Sequence, residues 1–263
     1  MMINGHAIGI FDSGIGGLSI ARQINQRLPN ENLLYVADSI HAPYGEKSES
    51  YITERAFAIS EFLIQRNVKA IVVACNTATV SSIKALRSQF TIPIIGVEPG
   101  VKPAVFNTKT GIVGVLATAQ TLKSVSFNDL AKTFSTNVKI EVQPCPGLME
   151  QVEALSLDSD VTKALITKYV FPLLDKGADH IVLGCTHYAF LAPMIKQIVG
   201  PNIQIVNTDF AVAKETARRL EVANLLSTSS RQGHVEFWSS AVPVVAQTQF
   251  SQLWGEDVKV FQM

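Results

Sequence analysis

Two cysteines stand in matching surroundings. Cys75 closes an apolar run, residues 70–74, and is followed by Asn76 and Thr77; Cys185 closes a run that includes residues 181–183 and is followed by Thr186 and His187. Each run reads as a strand and each following segment as the start of a helix. The positive end of a helix draws a thiol's pKa down from its free value of about 8.5, which brings the thiolate within reach at neutral pH. Either sulfur is therefore a candidate base or nucleophile. The third cysteine, Cys145, lies between Pro144 and Pro146 with no helix start or polar partner evident, and reads as structural. Three cysteines in 263 residues are too few for a disulfide framework, so reduced thiols are expected.

Spacing separates the chemistries that use cysteine. A C-x-x-C redox pair is absent, and a zinc site would want more ligands than His187 beside Cys185, so no metal is expected. A Cys-His hydrolase would employ Cys185 with His187 and leave Cys75 without a role. Two alike thiols suit a reaction that is itself nearly symmetric. Racemisation is such a reaction: one thiolate removes an α-proton while a thiol on the opposite face supplies another. The hydrolase reading and a non-enzymatic amino-acid sensor remain the competitors.

A third constellation is the turn Asp12-Ser-Gly-Ile-Gly-Gly17 between a strand and a helix. It has neither the glycine spacing of a dinucleotide fingerprint nor the Gly-Lys-Ser/Thr of a P-loop. Its backbone donors and neutral character suit a carboxylate. No Schiff-base or phosphate-cradle pattern calls for pyridoxal phosphate, so no cofactor is expected.

These residues need a scaffold that brings strand ends together. Short apolar runs at residues 8–11, 33–36, 70–74, 94–97, 112–116, 139–142, 181–183 and 203–206 alternate with helical patterns, the signature of an α/β fold with mainly parallel sheets. Ile52, Ala56, Ile59 and Leu63 mark the inner face of one helix and leave Glu54, Arg55 and Glu61 to its polar side; Leu18, Ala21, Ile24 and Leu28 mark another. The tail reads as a strand at 235–238, a helix at 243–254 and a strand at 258–261. A weak internal repeat lays Ala70-Ile-Val-Val-Ala-Cys-Asn-Thr77 on Asp179-His-Ile-Val-Leu-Gly-Cys-Thr186, and Gly9-Ile-Phe-Asp-Ser13 on Gly114-Val-Leu-Ala-Thr118. It implies two similar α/β domains related by pseudo-symmetry, with the site in the cleft between them, where ligands meet the carboxyl ends of parallel strands.

Five segments in matching order, Gly9-Ile-Phe-Asp-Ser-Gly-Ile-Gly-Gly-Leu18, Pro43-Tyr-Gly-Glu-Lys-Ser48, Ala74-Cys-Asn-Thr-Ala78, Gly96-Val-Glu-Pro-Gly100 and Gly184-Cys-Thr-His-Tyr188, resemble those of the glutamate racemases. The resemblance runs from about residue 7 to about residue 220. It implies glutamate as the small-molecule substrate, Cys75 as the base acting on D-glutamate and Cys185 as the base acting on L-glutamate, with Asp12 assisting the first and His187 the second. It also places Ser13, Pro43, Tyr44, Gly45, Asn76, Thr77, Thr118 and Thr186 around the substrate and gives Asp38 and Glu153 supporting roles. A part in peptidoglycan synthesis follows from it alone. With the turn at residues 96–100, it sets the expected domains at residues 1–97 plus 210–263 and at 98–209. Aspartate racemase is the competitor within the class. Two departures stand out: Ala189 where proline is usual, and His41-Ala42 where a basic residue followed by an aliphatic one is common.

Composition narrows the partners. Equal numbers of basic and acidic residues, 22 each, and no basic stripe interleaved with aromatics argue against nucleic acid. No apolar stretch approaches the roughly 20 residues that span a bilayer, and no signal-peptide pattern opens the chain, so the cytoplasm is the expected location. The sequence leaves a homodimer open.

Overall fold

In the computed structural model, which describes residues 5–134 and 138–263, helices and strands alternate along the chain. It runs β1 (Ile8–Asp12), α1 (Leu18–Arg27), β2 (Leu33–Ala37), α2 (Glu49–Gln65), β3 (Ala70–Val73), α3 (Asn76–Gln89) and β4 (Ile94–Gly96). Next come α4 (Val101–Asn107), β5 (Ile112–Ala117), α5 (Ala119–Lys123), α6 (Val125–Phe134), β6 (Lys139–Pro144), α7 (Leu148–Glu153), α8 (Asp160–Asp175), β7 (His180–Gly184), α9 (Tyr188–Val199) and β8 (Gln204–Val206). It ends with α10 (Asp209–Val222), β9 (Val235–Ser239), α11 (Pro243–Trp254) and β10 (Val260–Gln262). Two compact units result: one reaches to Val97 and resumes from Asp209 to Met263, the other is Glu98–Thr208.

Each unit holds its own sheet. The first is ordered β10-β9-β2-β1-β3-β4 and the second β6-β5-β7-β8, with every pair parallel. Parallel neighbours require crossovers, which is why helices separate them and why β1, β2 and β3 are buried along their whole length. Once β1 is matched to β5, the orders β2-β1-β3-β4 and β6-β5-β7-β8 are the same. The repeat is thus topological and not a chance likeness of apolar runs; β9 and β10 extend the first sheet alone.

Glycine packing supports the match. A Cβ on Gly9 of β1 would lie 3.1 Å from both terminal carbons of Leu63 in α2, and one on Gly114 of β5 would lie 2.8 Å from Leu173 Cδ1 in α8. In both units a bare backbone position on the first strand lets a helical leucine press against the sheet. The face of α2 expected from periodicity is the buried one, with Ile52, Ala56, Ile59 and Leu63 in one cluster beside Phe11, Val36 and Val73. In the tail, α11 packs through Phe250, whose ring meets that of Tyr35 at 5.6 Å.

Three local expectations need correction. Helix α9 starts at Tyr188, with Cys185 and Thr186 in the turn before it, so Cys185 does not open a helix as Cys75 does. The last strand begins at Val260, not at residue 258, because the Val258 N–H donates to Ser251 Oγ of α11. Arg55 is not left to solvent; its guanidinium donates to Asp38.

Candidate active site

The strand registers set which residues share a rung. Asp12 pairs with Ala37, and Phe11 with Val73, so one step beyond the sheet Ser13 stands level with Asp38 on one side and Cys75 on the other. Ala117 pairs with both Pro144 and Gly184, so Thr118 stands level with Cys145 and Cys185. The carboxyl ends of the two central strands therefore carry two triplets, Asp38/Ser13/Cys75 and Cys145/Thr118/Cys185.

In the first triplet Cys75 is the N-cap of α3, and its Sγ accepts the Ala78 N–H at 3.4 Å. The thiol donates to Ser13 Oγ at 3.7 Å, and the Ser13 hydroxyl donates to Asp12 Oδ1 at 3.0 Å. All three residues are buried, Asp12 completely. Gly17 has to be glycine-sized here, because a Cβ would sit 2.8 Å from Asp12 Cβ and 3.0 Å from Ala74 Cβ. Asn76 donates weakly to the Val97 carbonyl at 3.5 Å, and its Oδ1 is buried without a partner. Thr77 is buried beside it.

The wall of this triplet comes from the β2–α2 connection. A cis Ala42–Pro43 peptide leads into a 3₁₀ turn, Tyr44–Glu46, which contains Gly45. Tyr44 is 1% exposed, and its hydroxyl donates to Asp38 Oδ2 at 2.6 Å. Arg55 clamps the same carboxylate, Nε to Oδ2 and Nη2 to Oδ1, both at 2.9 Å. Burial, with the Asp38 charge and that of Cys75 beside it, pushes the Tyr44 phenol far above its ordinary value, so it stays a donor.

In the second triplet Cys185 Sγ lies 3.8 Å from His187 Nδ1, and His187 Nε2 lies 2.7 Å from Glu153 Oε1 at the end of α7. Burial by itself would pull the imidazole down. The bonds to Cys185 and Glu153 outweigh it and hold His187 well above the usual histidine range. Thr118 caps α5, accepting the Thr121 N–H at 3.2 Å, and Thr186 is buried next to Cys185. Cys145 is less isolated than the sequence suggests: its thiol donates to the Gln143 carbonyl at 3.2 Å, and its carbonyl accepts the Tyr188 hydroxyl at 3.3 Å. Helix α7 also starts only a few residues after it. Burial first, then the neighbouring Cys185, push the Cys145 thiol up and keep it neutral.

Each sulfur is thus joined to a carboxylate through one intermediate group, a hydroxyl for Cys75 and an imidazole for Cys185. Among the described residues no three His, Cys, Asp or Glu side chains are arranged to hold a metal ion, and no helix is long and apolar enough to cross a membrane. The sequence pattern of the Asp/Glu/Hydantoin racemases matches residues 8–216. The chain belongs to that family. Among racemases it is similar to the glutamate racemase of Methylococcus capsulatus, with 51% identity over 251 residues, 95% of this chain and 93% of the relative. Its fold matches the crystal structure of a glutamate racemase from Bacillus anthracis at a TM-score of 0.91 and 31% identity, covering 99% and 98% of the two chains. It also matches the Escherichia coli glutamate racemase in complex with L-glutamate and the activator UDP-MurNAc-ala, at 0.86 and 33%, covering 98% and 97%.

Within this racemase, the first triplet and its Pro43-Tyr44-Gly45 wall lie in one unit, and Thr118, Glu153, Cys185, Thr186 and His187 in the other. Sequence reasoning overlooked Arg55 and the rung position of Cys145. Nothing in the sequence signals either one; the clue is structural, in that Asp38 is fully buried at a strand end and calls for a cation close by. Of the two departures, His41 bonds Tyr51 through Nδ1 at 2.6 Å, and Ala189 sits in the first turn of α9.

Proposed function

We propose that this racemase interconverts L-glutamate and D-glutamate without a cofactor, with Cys75 and Cys185 serving as the two bases on opposite faces of the substrate. The observation that carries the reading is the equivalence of the two thiols: each stands just beyond the carboxyl end of the third strand of a matched β-β-β-β order, level with the residue after the central strand and bonded to its own polar relay. Similarity to glutamate racemases over nearly the whole chain supplies the substrate. Family membership sets aside the hydrolase and the sensor.

Starting from D-glutamate, the Cys75 thiolate takes the α-proton. The C–H bond breaks, an S–H bond forms, and the electron pair stays on Cα and its carboxylate. The Cys185 thiol then delivers its proton to the other face, leaving a thiolate there; the reverse reaction exchanges the roles. An α-proton is far less acidic than a thiol, so the site has to stabilise the carbanion. Neutral donors from Ser13, Thr77, Thr118 and Thr186, with the Asn76 amide, serve the substrate's charged groups in a site where such dipoles count for more than in water. Asp12 supports Cys75 through Ser13, and Glu153 supports Cys185 through His187. The D-glutamate formed would serve peptidoglycan synthesis.

The test is the purified protein in deuterium oxide, given each enantiomer without added pyridoxal phosphate or metal. Deuterium should enter at Cα while optical rotation decays, and Cys75→Ser and Cys185→Ser should each abolish racemisation. Wild-type racemisation by either variant would sink the two-base reading; turnover of L-aspartate in preference to L-glutamate would shift the substrate to the competitor.

A further inference from the structure

Asp38 and Cys145 are equivalent positions with different chemistry. The Asp38 N–H donates to the Asp12 carbonyl at 3.0 Å, and the Cys145 N–H donates to the Ala117 carbonyl at 3.2 Å, the same bond on the same rung of the repeat. Cys145 is a neutral thiol engaged with a backbone carbonyl. Asp38 is a carboxylate with no exposed surface, two strands from Cys75, or roughly 9.5 Å at the usual strand spacing. A bare buried anion at that distance would oppose formation of the Cys75 thiolate.

We propose that Arg55 is a positioning residue for Cys75: by pairing bidentately with Asp38 it makes this rung neutral, as Cys145 is in the other unit, and it fixes the acceptor to which Tyr44 donates. The pairing geometry is that of the strongest guanidinium–carboxylate contacts. The Tyr44 hydroxyl, at 2.6 Å from Asp38 Oδ2, adds a third hydrogen bond to the carboxylate. Other groups facing this carboxylate and thiol include His41, whose Nε2 is 4.0 Å from Asp38 Oδ1, and Asp12, which reaches Cys75 through Ser13. Neither of these two is a guanidinium, and Arg55 is the cation bonded directly to both Asp38 oxygens. The inference builds on Cys75 as a catalytic thiol.

The experiment is a charge cycle read on substrate-free protein. The rate of iodoacetamide alkylation at Cys75 and at Cys185 is followed against pH by peptide mass spectrometry for wild type, Arg55→Gln, Asp38→Asn and the double variant. Arg55→Gln should raise the Cys75 midpoint by about one pH unit, roughly a tenfold loss of thiolate at a given pH below it. Asp38→Asn should lower it, the double variant should return it to near the wild-type value, and Cys185 should stay put throughout. Damage to the fold would not move the two single variants in opposite directions. Shifts in the same direction, no shift in Arg55→Gln, or a shift that persists in the double variant would overturn the proposal. Should Arg55→Gln fail to fold, Arg55→Lys decides together with Asp38→Asn: keeping the charge, it should hold the midpoint within a few tenths of a unit, and a full-unit rise would overturn the proposal. Because no substrate is present, this cycle can fail while racemisation and its loss in Cys75→Ser both stand, and the reverse.

Discussion

His187 Nε2 lies 2.7 Å from Glu153 Oε1, while its other ring nitrogen faces Cys185 at 3.8 Å. The counterpart on the Cys75 side is the Ser13 hydroxyl, bonded to Asp12 at 3.0 Å. An imidazole can carry a full positive charge and a hydroxyl cannot. On the two-base mechanism proposed above, the Cys185 proton could therefore be shared with its relay, whereas the Cys75 proton would stay on sulfur or go to the substrate. The two halves repeat a topology but not an acid–base device.

Glu153→Gln tests the device on the Cys185 side. Without the carboxylate, His187 should titrate lower, and kcat should fall roughly ten- to a hundredfold, at or below the usual range for losing a proton-transfer group itself. Because the folded-state value of His187 is raised, the pairing stabilises the protein fully below the unfolded value of about 6.5 and ceases to do so as pH climbs through the folded value. The Tm difference between wild type and variant should thus be widest near pH 6 and shrink in alkali. Imidazole NMR and melting curves across pH check both; a difference that grows with pH would contradict the assignment.

Gly184→Ala probes how tightly the Cys185 strand is held. A Cβ there would lie 2.9 Å from the Leu116 carbonyl oxygen and 2.9 Å from Ala117 Cβ, neither of which can rotate away. Strand β7 would have to move off β5, carrying Cys185 with it. A loss of kcat of at least tenfold is expected, since small misplacements of reacting groups are costly. The equivalent residue before Cys75 is already alanine, Ala74, so Ala74→Gly should be far milder in the same assay.

Much of this was legible beforehand and some was not, for physical reasons. Strands announce themselves by apolar runs, so β1 to β9 fall within a residue or two of their expected places, and the helix at 243–254 has its expected bounds. Cys75 and Cys185 could be picked out because a cysteine before polar residues at a strand end is unusual. Arg55 could not be picked out, because periodicity assigns every charged residue of α2 to solvent, while an arginine stem is long enough to lie over apolar surface and deliver its head to a buried partner. The equivalence of Asp38 and Cys145 was hidden because the two side chains share no chemistry; only the register of the strands exposes it.

Gly114→Ala and Gly9→Ala compare the two halves of the repeat away from the chemistry. At Gly114 the new carbon would approach Leu173 Cδ1 to 2.8 Å and Ile181 Cδ1 to 2.9 Å; at Gly9 the nearest atoms are Leu63 carbons at 3.1 Å. Overpacking of this kind costs about 1–3 kcal/mol. Gly114→Ala should sit at the upper end and Gly9→Ala at the lower, as read from urea unfolding midpoints. The reverse order would show that Leu173 yields more readily than Leu63.

Asp179 offers a stability test at the opposite end of β7 from Cys185, since it precedes the strand and Cys185 follows it. Its carboxylate accepts the Thr108 hydroxyl at 2.6 Å, the Lys109 and Thr110 N–H groups at 2.7 and 3.2 Å, and faces His180 Nδ1 at 2.8 Å. Burial would raise it, but these partners together hold it well below the usual carboxylate range. Asp179→Asn loses the charge and leaves backbone donors facing an amide, at a cost of about 1–3 kcal/mol near neutrality. A depressed carboxylate stabilises the fold above its unfolded value of about 3.9, and that contribution disappears as pH falls through the folded value. The gap between wild type and variant should hold steady above about pH 5 and narrow below about pH 4, while kcat per folded molecule stays unchanged. Chemical denaturation at stepped pH decides it: a gap that widens in acid would mean the carboxylate is not held by these donors.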